Sequence, residues 1–154
     1  MTGLTVRRAL PADAALVPAM TRAAYQKWVP VIGREPRPMT ADYDRAVVEH
    51  RIDIFESDGV PVALIEMKPE PDHLLIVNVT VHPDRQSEGI GSGLLRHAEE
   101  IAGSLGLAEM RLYTNGAFVS NIALYRHRGY HETHREEIGQ LGIAVHMAKR
   151  IGAG

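Results

Sequence analysis

The stretch Val79-Thr80-Val81-His82-Pro83-Asp84-Arg85-Gln86-Ser87-Glu88-Gly89-Ile90-Gly91-Ser92 combines features that could bind an anion. An apolar strand pattern runs into a glycine-bearing loop, and the loop opens an amphipathic helix. Glycines let successive backbone N–H groups turn inward as an anion nest, and the helix N-terminus adds partial positive charge. Phosphate or pyrophosphate is the natural guest. Two well-known phosphate motifs do not fit. No Gly-Lys-Ser/Thr triplet follows the glycines, as a P-loop needs. A dinucleotide fingerprint counted from Gly89 and Gly91 places Leu94 where Gly or Ala is required. The pattern Gln/Arg-x-x-Gly-x-Gly/Ala does fit, as Gln86-x-x-Gly89-x-Gly91. The alternative is a strand–helix connection that happens to carry glycines.

A second cluster lies downstream, Asn121-Ile122-Ala123-Leu124-Tyr125-Arg126-His127-Arg128-Gly129-Tyr130. An unperturbed Tyr titrates near ~10, so at neutral pH it holds a proton that it can donate. Asn121 also reads as a plain helix-start residue. His127, His131 and His134 suggest a metal, but a helix end and a strand separate them, and Glu132, Glu136 and Glu137 can pair with the neighbouring arginines. A solvated charged edge is the favoured reading, and no metal is expected.

Composition narrows the classes. The chain has 154 residues, 17 Lys plus Arg against 19 Asp plus Glu, and a net charge of −2, which argues against a generic nucleic-acid binder. It has no cysteine, so disulfides, thiolate metal sites and a Cys nucleophile are excluded. A chain of this size buries about two-thirds of its extended surface, enough for a core, and one domain over 1–154 is expected. No apolar run approaches the roughly 18 residues of a spanning helix, and the N-terminus lacks a secretory pattern. A cytoplasmic protein that does not act at a membrane is the expectation.

The elements that must hold these clusters follow from periodicity. Leu4–Leu10 reads as a strand, and a helix from Pro11 to Tyr25 or Trp28 follows, with Pro18 awkwardly near its interior. Pro30 to Met39 reads as an irregular loop, and Thr40 as the N-cap of a short helix to Glu49. Arg51–Glu56 and Val60–Met67 flank Ser57-Asp58-Gly59 as a hairpin. His73–Val81 is a nearly continuous apolar run, the pattern of a central strand buried on both faces. Ile90, Leu94, Leu95, Ala98, Ile101, Ala102 and Leu105 follow helical spacing. Met110–Thr114 is a strand, Ser120-Asn121 leads a short helix to Arg128, and Tyr130–Glu137 and Ile143–Lys149 are the last two strands. The order implies a mixed α+β sheet of six to seven strands with helices on both faces.

On the Gln86-x-x-Gly89-x-Gly91 loop and the Leu124-Tyr125…Gly129-Tyr130 segment, the sequence resembles the GNAT N-acetyltransferase family. The resemblance implies a centrally splayed sheet in α/β/α layers, with acetyl-coenzyme A as cosubstrate between the fourth and fifth strands. By that resemblance Gln86, Ser87, Glu88, Gly89, Ile90, Gly91 and Ser92 would cradle the pyrophosphate. Val79, Thr80 and Val81 would lie along the pantetheine, and Asn121 would hold a polar part of the coenzyme. Tyr125 would protonate the departing thiolate; its other reading is packing of the helix onto the sheet. Glu88 departs from the family pattern, because an acid beside a pyrophosphate is unfavourable unless it faces solvent. Val77 stands where many members carry a basic Glu, which leaves Glu66, His73, a water chain past Asn78 or no dedicated base. The first two helices would shape the acceptor site. There Tyr25, Trp28 and Tyr43, with Asp42, Asp44 or Glu49, either hold a cationic amine or simply pack. The implied reaction is direct acetyl transfer to a small-molecule or peptide amine, with a homodimer possible. The alternative is a non-catalytic acyl-coenzyme A sensor on the same fold.

Overall fold

The computed structural model describes residues 3–152. In chain order its elements begin with β1 (Leu4–Arg8), α1 (Leu16–Tyr25), α2 (Val29–Ile32), α3 (Arg37–Thr40) and α4 (Tyr43–Glu49). They continue with β2 (Arg51–Ser57), β3 (Val60–Pro69), β4 (Leu74–Val81), α5 (Ile90–Ser104), β5 (Glu109–Asn115), α6 (Val119–His127), β6 (His131–Glu137) and β7 (Ile143–Arg150). The strands form one sheet in the order β1-β2-β3-β4-β5-β7-β6, seven strands among the described residues. All neighbours are antiparallel except β4 and β5. The β2–β3 turn places Asp58 and Gly59 at positive φ, as a two-residue hairpin matched to strand twist requires.

One face of the sheet is covered by α5, whose Leu94, Leu95, Ala98 and Ala102 are wholly buried against Phe55, Ile65, Met67 and Met110. Each large apolar side chain buried there stabilises the fold by about 1.5–3 kcal/mol. On the other face Val17 of α1 and Tyr43 and Ala46 of α4 pack on Ile52, Ile54 and Leu64.

Several local readings change. The first helix is broken: Pro11–Asp13 is a separate 3-10 turn, and α1 starts at Leu16. Pro18 is thereby the third helical residue, where its missing N–H has no intrahelical acceptor to lose. The Pro-rich segment is not all irregular, because α2 and α3 are single turns started by Pro at an allowed position. Asp42, not Thr40, caps α4, its carboxylate accepting from Arg45 N. α6 begins at Val119, so Asn121 lies inside the helix, not at its cap.

Two irregularities open the sheet in its middle. β4 and β5 pair only at Leu74–Met110, Leu75–Arg111 and Ile76–Leu112, although both strands run on. Beyond Ile76 they diverge. At the same point β4 carries a bulge: Met67 pairs with Ile76 and Glu66 with Asn78, leaving Val77 extra. An extra residue reverses the inside–outside alternation. Ile76 faces the α5 core, whereas Asn78, only two residues on, reaches the α1 and α4 side chains.

Candidate active site

The divergence leaves two cavities along β4, and Tyr25 and Val79 line both. The smaller, about 290 Å³, lies where the chain enters α5. Ser87 and Gly89 both have positive φ, and this turns the loop into the helix start. Gly93 N is the first α5 amide bonded back along the helix, to Gly89 O, so the amides of Ile90, Gly91 and Ser92 have no helical acceptor. Gln86, Ser87, Gly89, Ile90, Gly91 and Ser92 line this cavity, and Asn121 and Leu124 of α6 close it. Gln86 is fixed at both ends: Nε2 donates to Val81 O at 3.0 Å and Oε1 accepts from Lys27 Nζ at 2.8 Å.

Glu88 does not line the cavity. Its carboxylate accepts from Arg85 Nε at 2.7 Å, outside the nest. Arg85 does line it, so this acid holds a cation that faces the smaller cavity. Replacing Glu88 with Gln is therefore expected to tighten binding of any phosphate-bearing guest of this cavity, coenzyme A being the one to titrate, about two- to fivefold at low salt, the range of an exposed ion pair, with the gain fading at high salt. Isothermal titration at two salt concentrations checks this.

The larger cavity, about 390 Å³, opens between the diverging strands. Its floor is Ile76, Val77, Asn78 and Val79 of β4 with Leu112 to Asn115 of β5, and its wall runs from Arg34 to Glu49. Asn78 makes four hydrogen bonds. Its Oδ1 accepts from Tyr25 Oη (3.1 Å) and Thr80 Oγ1 (2.9 Å), and its Nδ2 donates to Thr21 Oγ1 (3.1 Å) and Tyr43 Oη (3.3 Å). With every donor and acceptor committed, Asn78 holds the tyrosines in place and has nothing left for a water chain. Tyr43 Oη in turn donates to Pro38 O at 2.7 Å, which ties α4 to the wall loop.

Tyr125 of α6 reaches this cavity. It is 5% exposed, and burial pushes its phenol far above the usual tyrosine range. Among the described residues its hydroxyl has no hydrogen-bond partner, yet it is not sealed from the cavity. A protonated, uncommitted donor at the opening of the sheet can give a hydrogen bond or a proton to a guest. Glu66 of β3 and His50, just after α4, line the same cavity, with Glu66 Oε2 2.6 Å from His50 Nδ1.

The other sequence-marked residues divide. Val81 lines the smaller cavity, while Thr80 is buried on the far face against Asn78 and lines neither. Tyr25, Tyr43, Asp42 and Glu49 line the larger cavity and Asp44 does not. Trp28 lines the smaller one, stacked on Phe118 with centroids 4.8 Å apart. His73 pairs with Asp72 at a turn and lines neither cavity. Lys27, unmarked in the sequence, lines the smaller cavity; a lone Lys at the end of a helix gives no signal of that place. Among the described residues no group of three or more His, Asp or Glu could hold a metal, and no helix is long and apolar enough to cross a membrane.

Residues 18–130 match the family model described as the acetyltransferase (GNAT) family. Among curated proteins, none matches the sequence. Several solved structures share the fold. A GCN5-related N-acetyltransferase from Rhodopseudomonas palustris is 23% identical with a TM-score of 0.80, covering 98% of this chain and 98% of that one. The PaiA N-acetyltransferase from Thermoplasma acidophilum, solved in complex with coenzyme A, is 17% identical with a TM-score of 0.76, covering 96% and 98%. The ribosomal-protein-S18-alanine N-acetyltransferase from Escherichia coli is 20% identical with a TM-score of 0.74, covering 98% and 96%.

Proposed function

The chain belongs to the acetyltransferase (GNAT) family, an acyltransferase class, and from that premise we propose that it moves an acetyl group from acetyl-coenzyme A to a primary amine by direct attack. The observation that carries this reading is the junction of the two cavities at Tyr25 and Val79. A coenzyme whose pyrophosphate sits on the Ile90–Ser92 amides can run along β4 from one cavity to the other. Its acetyl end then lies where the strands part, beside Tyr125.

In this reading each group has a defined task. The α5 amides and Lys27 hold the pyrophosphate, and Asn121 closes that cavity. The Asn78 network holds Tyr25 and Tyr43 against the acceptor. Tyr125 Oη donates its proton to the sulfur as the C–S bond breaks. The Arg34–Glu49 wall, with carboxylates at Asp42 and Glu49, receives the amine.

Two measurements test the proposal. Acetyl-coenzyme A is expected to raise the melting temperature, and a pantetheine fragment without the pyrophosphate to raise it far less. A ligand that binds only the folded state adds about 2.7 kcal/mol at a hundredfold excess over Kd. The second measurement is amine-dependent release of free thiol from acetyl-coenzyme A over a panel of putrescine, tyramine and an alanyl peptide. No thermal shift at millimolar coenzyme overturns the anion-site assignment. A thermal shift without thiol release makes the protein a coenzyme binder instead.

A further inference from the structure

We propose that Glu66 is the general base of the transfer and His50 the residue that positions it, an assignment that rests on the acetyl-transfer reading above. The base then stands on β3, across the ladder from Asn78, and the bulge residue Val77 needs no replacement on β4.

The geometry is specific. Glu66 is only 3% exposed, and its Oε2 is held by His50 Nδ1 at 2.6 Å. Its Oε1 has no partner among the described residues and is not sealed off. Most buried side-chain polar atoms are hydrogen-bonded, because an unsatisfied buried acceptor is costly. Here one oxygen is anchored and the other is left to the cavity that also holds the uncommitted hydroxyl of Tyr125. A free acceptor and a free donor thus face one space, as a transfer with one proton to remove and one to supply requires.

The surrounding charges are consistent with this. Burial raises the Glu66 carboxyl above the usual range, and the hydrogen bond from His50 opposes that rise. Tyr43 of α4, pushed up to about 12 mainly by burial, and Tyr25 of α1 face it as neutral phenols. Lys68, next on the same side of β3, is paired with Glu70. On α4, Arg45 is paired with Glu49. Arg34, Arg37 and Asp42 line the cavity from the wall, and His50 is the hydrogen-bond partner of Glu66. Among the described residues His50 Nε2 has no partner, and the His50 side chain is 23% exposed, so the dyad has a side open to water.

The acceptor arrives as an ammonium ion and gives one proton to Glu66 Oε1. The freed nitrogen pair forms the N–C bond to the acetyl carbon, and the C–S pair leaves with sulfur. Tyr125 protonates the sulfur and regains a proton from the nitrogen as the amide forms. Glu66 releases its proton to solvent. The sum is ammonium plus thioester giving amide, thiol and one proton.

The test measures kcat/KM from about pH 4.5 to 10, a window that reaches down to the ordinary carboxyl range, for the full chain with whichever panel amine it acetylates fastest. Glu66→Gln is expected to lower it about 10²-fold near pH 7, with unchanged coenzyme affinity. Its rate should then climb about one decade per pH unit toward the wild-type value, as the amine deprotonates unaided. His50→Ala removes the donor to Oε2 and should shift the acidic limb to higher pH, and His50→Gln, which keeps a donor, should restore most of it. If Glu66→Gln does not fold, the shifted limb of His50→Ala decides alone. A Glu66→Gln profile parallel to wild type at every pH, whether lowered or unchanged, overturns the assignment, as does an unmoved limb in His50→Ala. A wild-type chain that binds acetyl-coenzyme A but acetylates no amine overturns the acetyl-transfer reading itself and the dyad with it. That outcome is distinct from turnover indifferent to Glu66.

Discussion

Replacing Tyr125 with Phe is expected to lower the rate of acetyl transfer by about 10² to 10⁴ at saturating coenzyme, while coenzyme affinity stays within a few-fold. The change equals about 3 to 5 kcal/mol of barrier. The ring stays, and with it the packing against Tyr130, whose centroid lies 6.2 Å away. Only the uncommitted hydroxyl is lost. Because burial holds the phenol well above its ordinary range, the donor remains protonated throughout the assay. The ratio between the two enzymes should therefore be flat from about pH 6 to 9. If Tyr125 serves only packing, the retained ring keeps that role, and turnover and melting temperature both stay close to wild type. Stopped-time thiol release and a thermal melt on the same two proteins separate the cases.

Gly89→Val is expected to weaken acetyl-coenzyme A binding at least about 100-fold. Gly89 has φ +84, and nothing lies within 4 Å of an added Cβ, so no clash is involved. The cost is conformational: a β-branched residue resists the left-handed region, and the strain, roughly 1–3 kcal/mol, is relieved by turning the loop. Turning it re-aims the Ile90–Ser92 amides, so the loss appears chiefly in affinity. Gly91 provides the contrast. It is helical, and an added Cβ would come 2.9 Å from Leu124 Cδ2 of α6. Its glycine serves the close approach of two helices. Gly91→Ala should therefore lower stability modestly as Leu124 shifts, with coenzyme affinity held within a few-fold. Calorimetric titration of both variants measures this; equal affinity losses would contradict the separation.

The places of the loop at the start of α5 and of Tyr125 on α6 were legible because their signals are local. A change of hydrophobic period at Ile90, a glycine that tolerates positive φ and a tyrosine four residues after Asn121 all lie within one or two elements. The sheet's membership was legible for the same reason, strand by strand. Its order was not: β7 inserts between β5 and β6, and nothing in either sequence ranks those pairings. The bulge at Val77 was hidden because Leu74 to Val79 is apolar at every position but Asn78, so a reversed alternation leaves no mark in the pattern. The Glu66–His50 contact was out of reach too. It joins residues 16 apart, and it exists only because the β2–β3 register returns Glu66 to the end of α4. Trp28 and Glu88 illustrate the limit for side-chain direction. Both stand beside the expected sites in sequence, yet Trp28 stacks on Phe118 toward the smaller cavity, and Glu88 turns to Arg85.

The most direct test of the account is a crystal structure of the chain with coenzyme A bound, read at two places. Pyrophosphate oxygens are expected within hydrogen-bond distance, about 2.7–3.2 Å, of the amides of Ile90, Gly91 or Ser92. The coenzyme sulfur is expected between β4 and β5, in contact with Tyr125 Oη. A coenzyme whose phosphates avoid the α5 start, or whose sulfur lies away from Tyr125 with the phosphates in place, would contradict it.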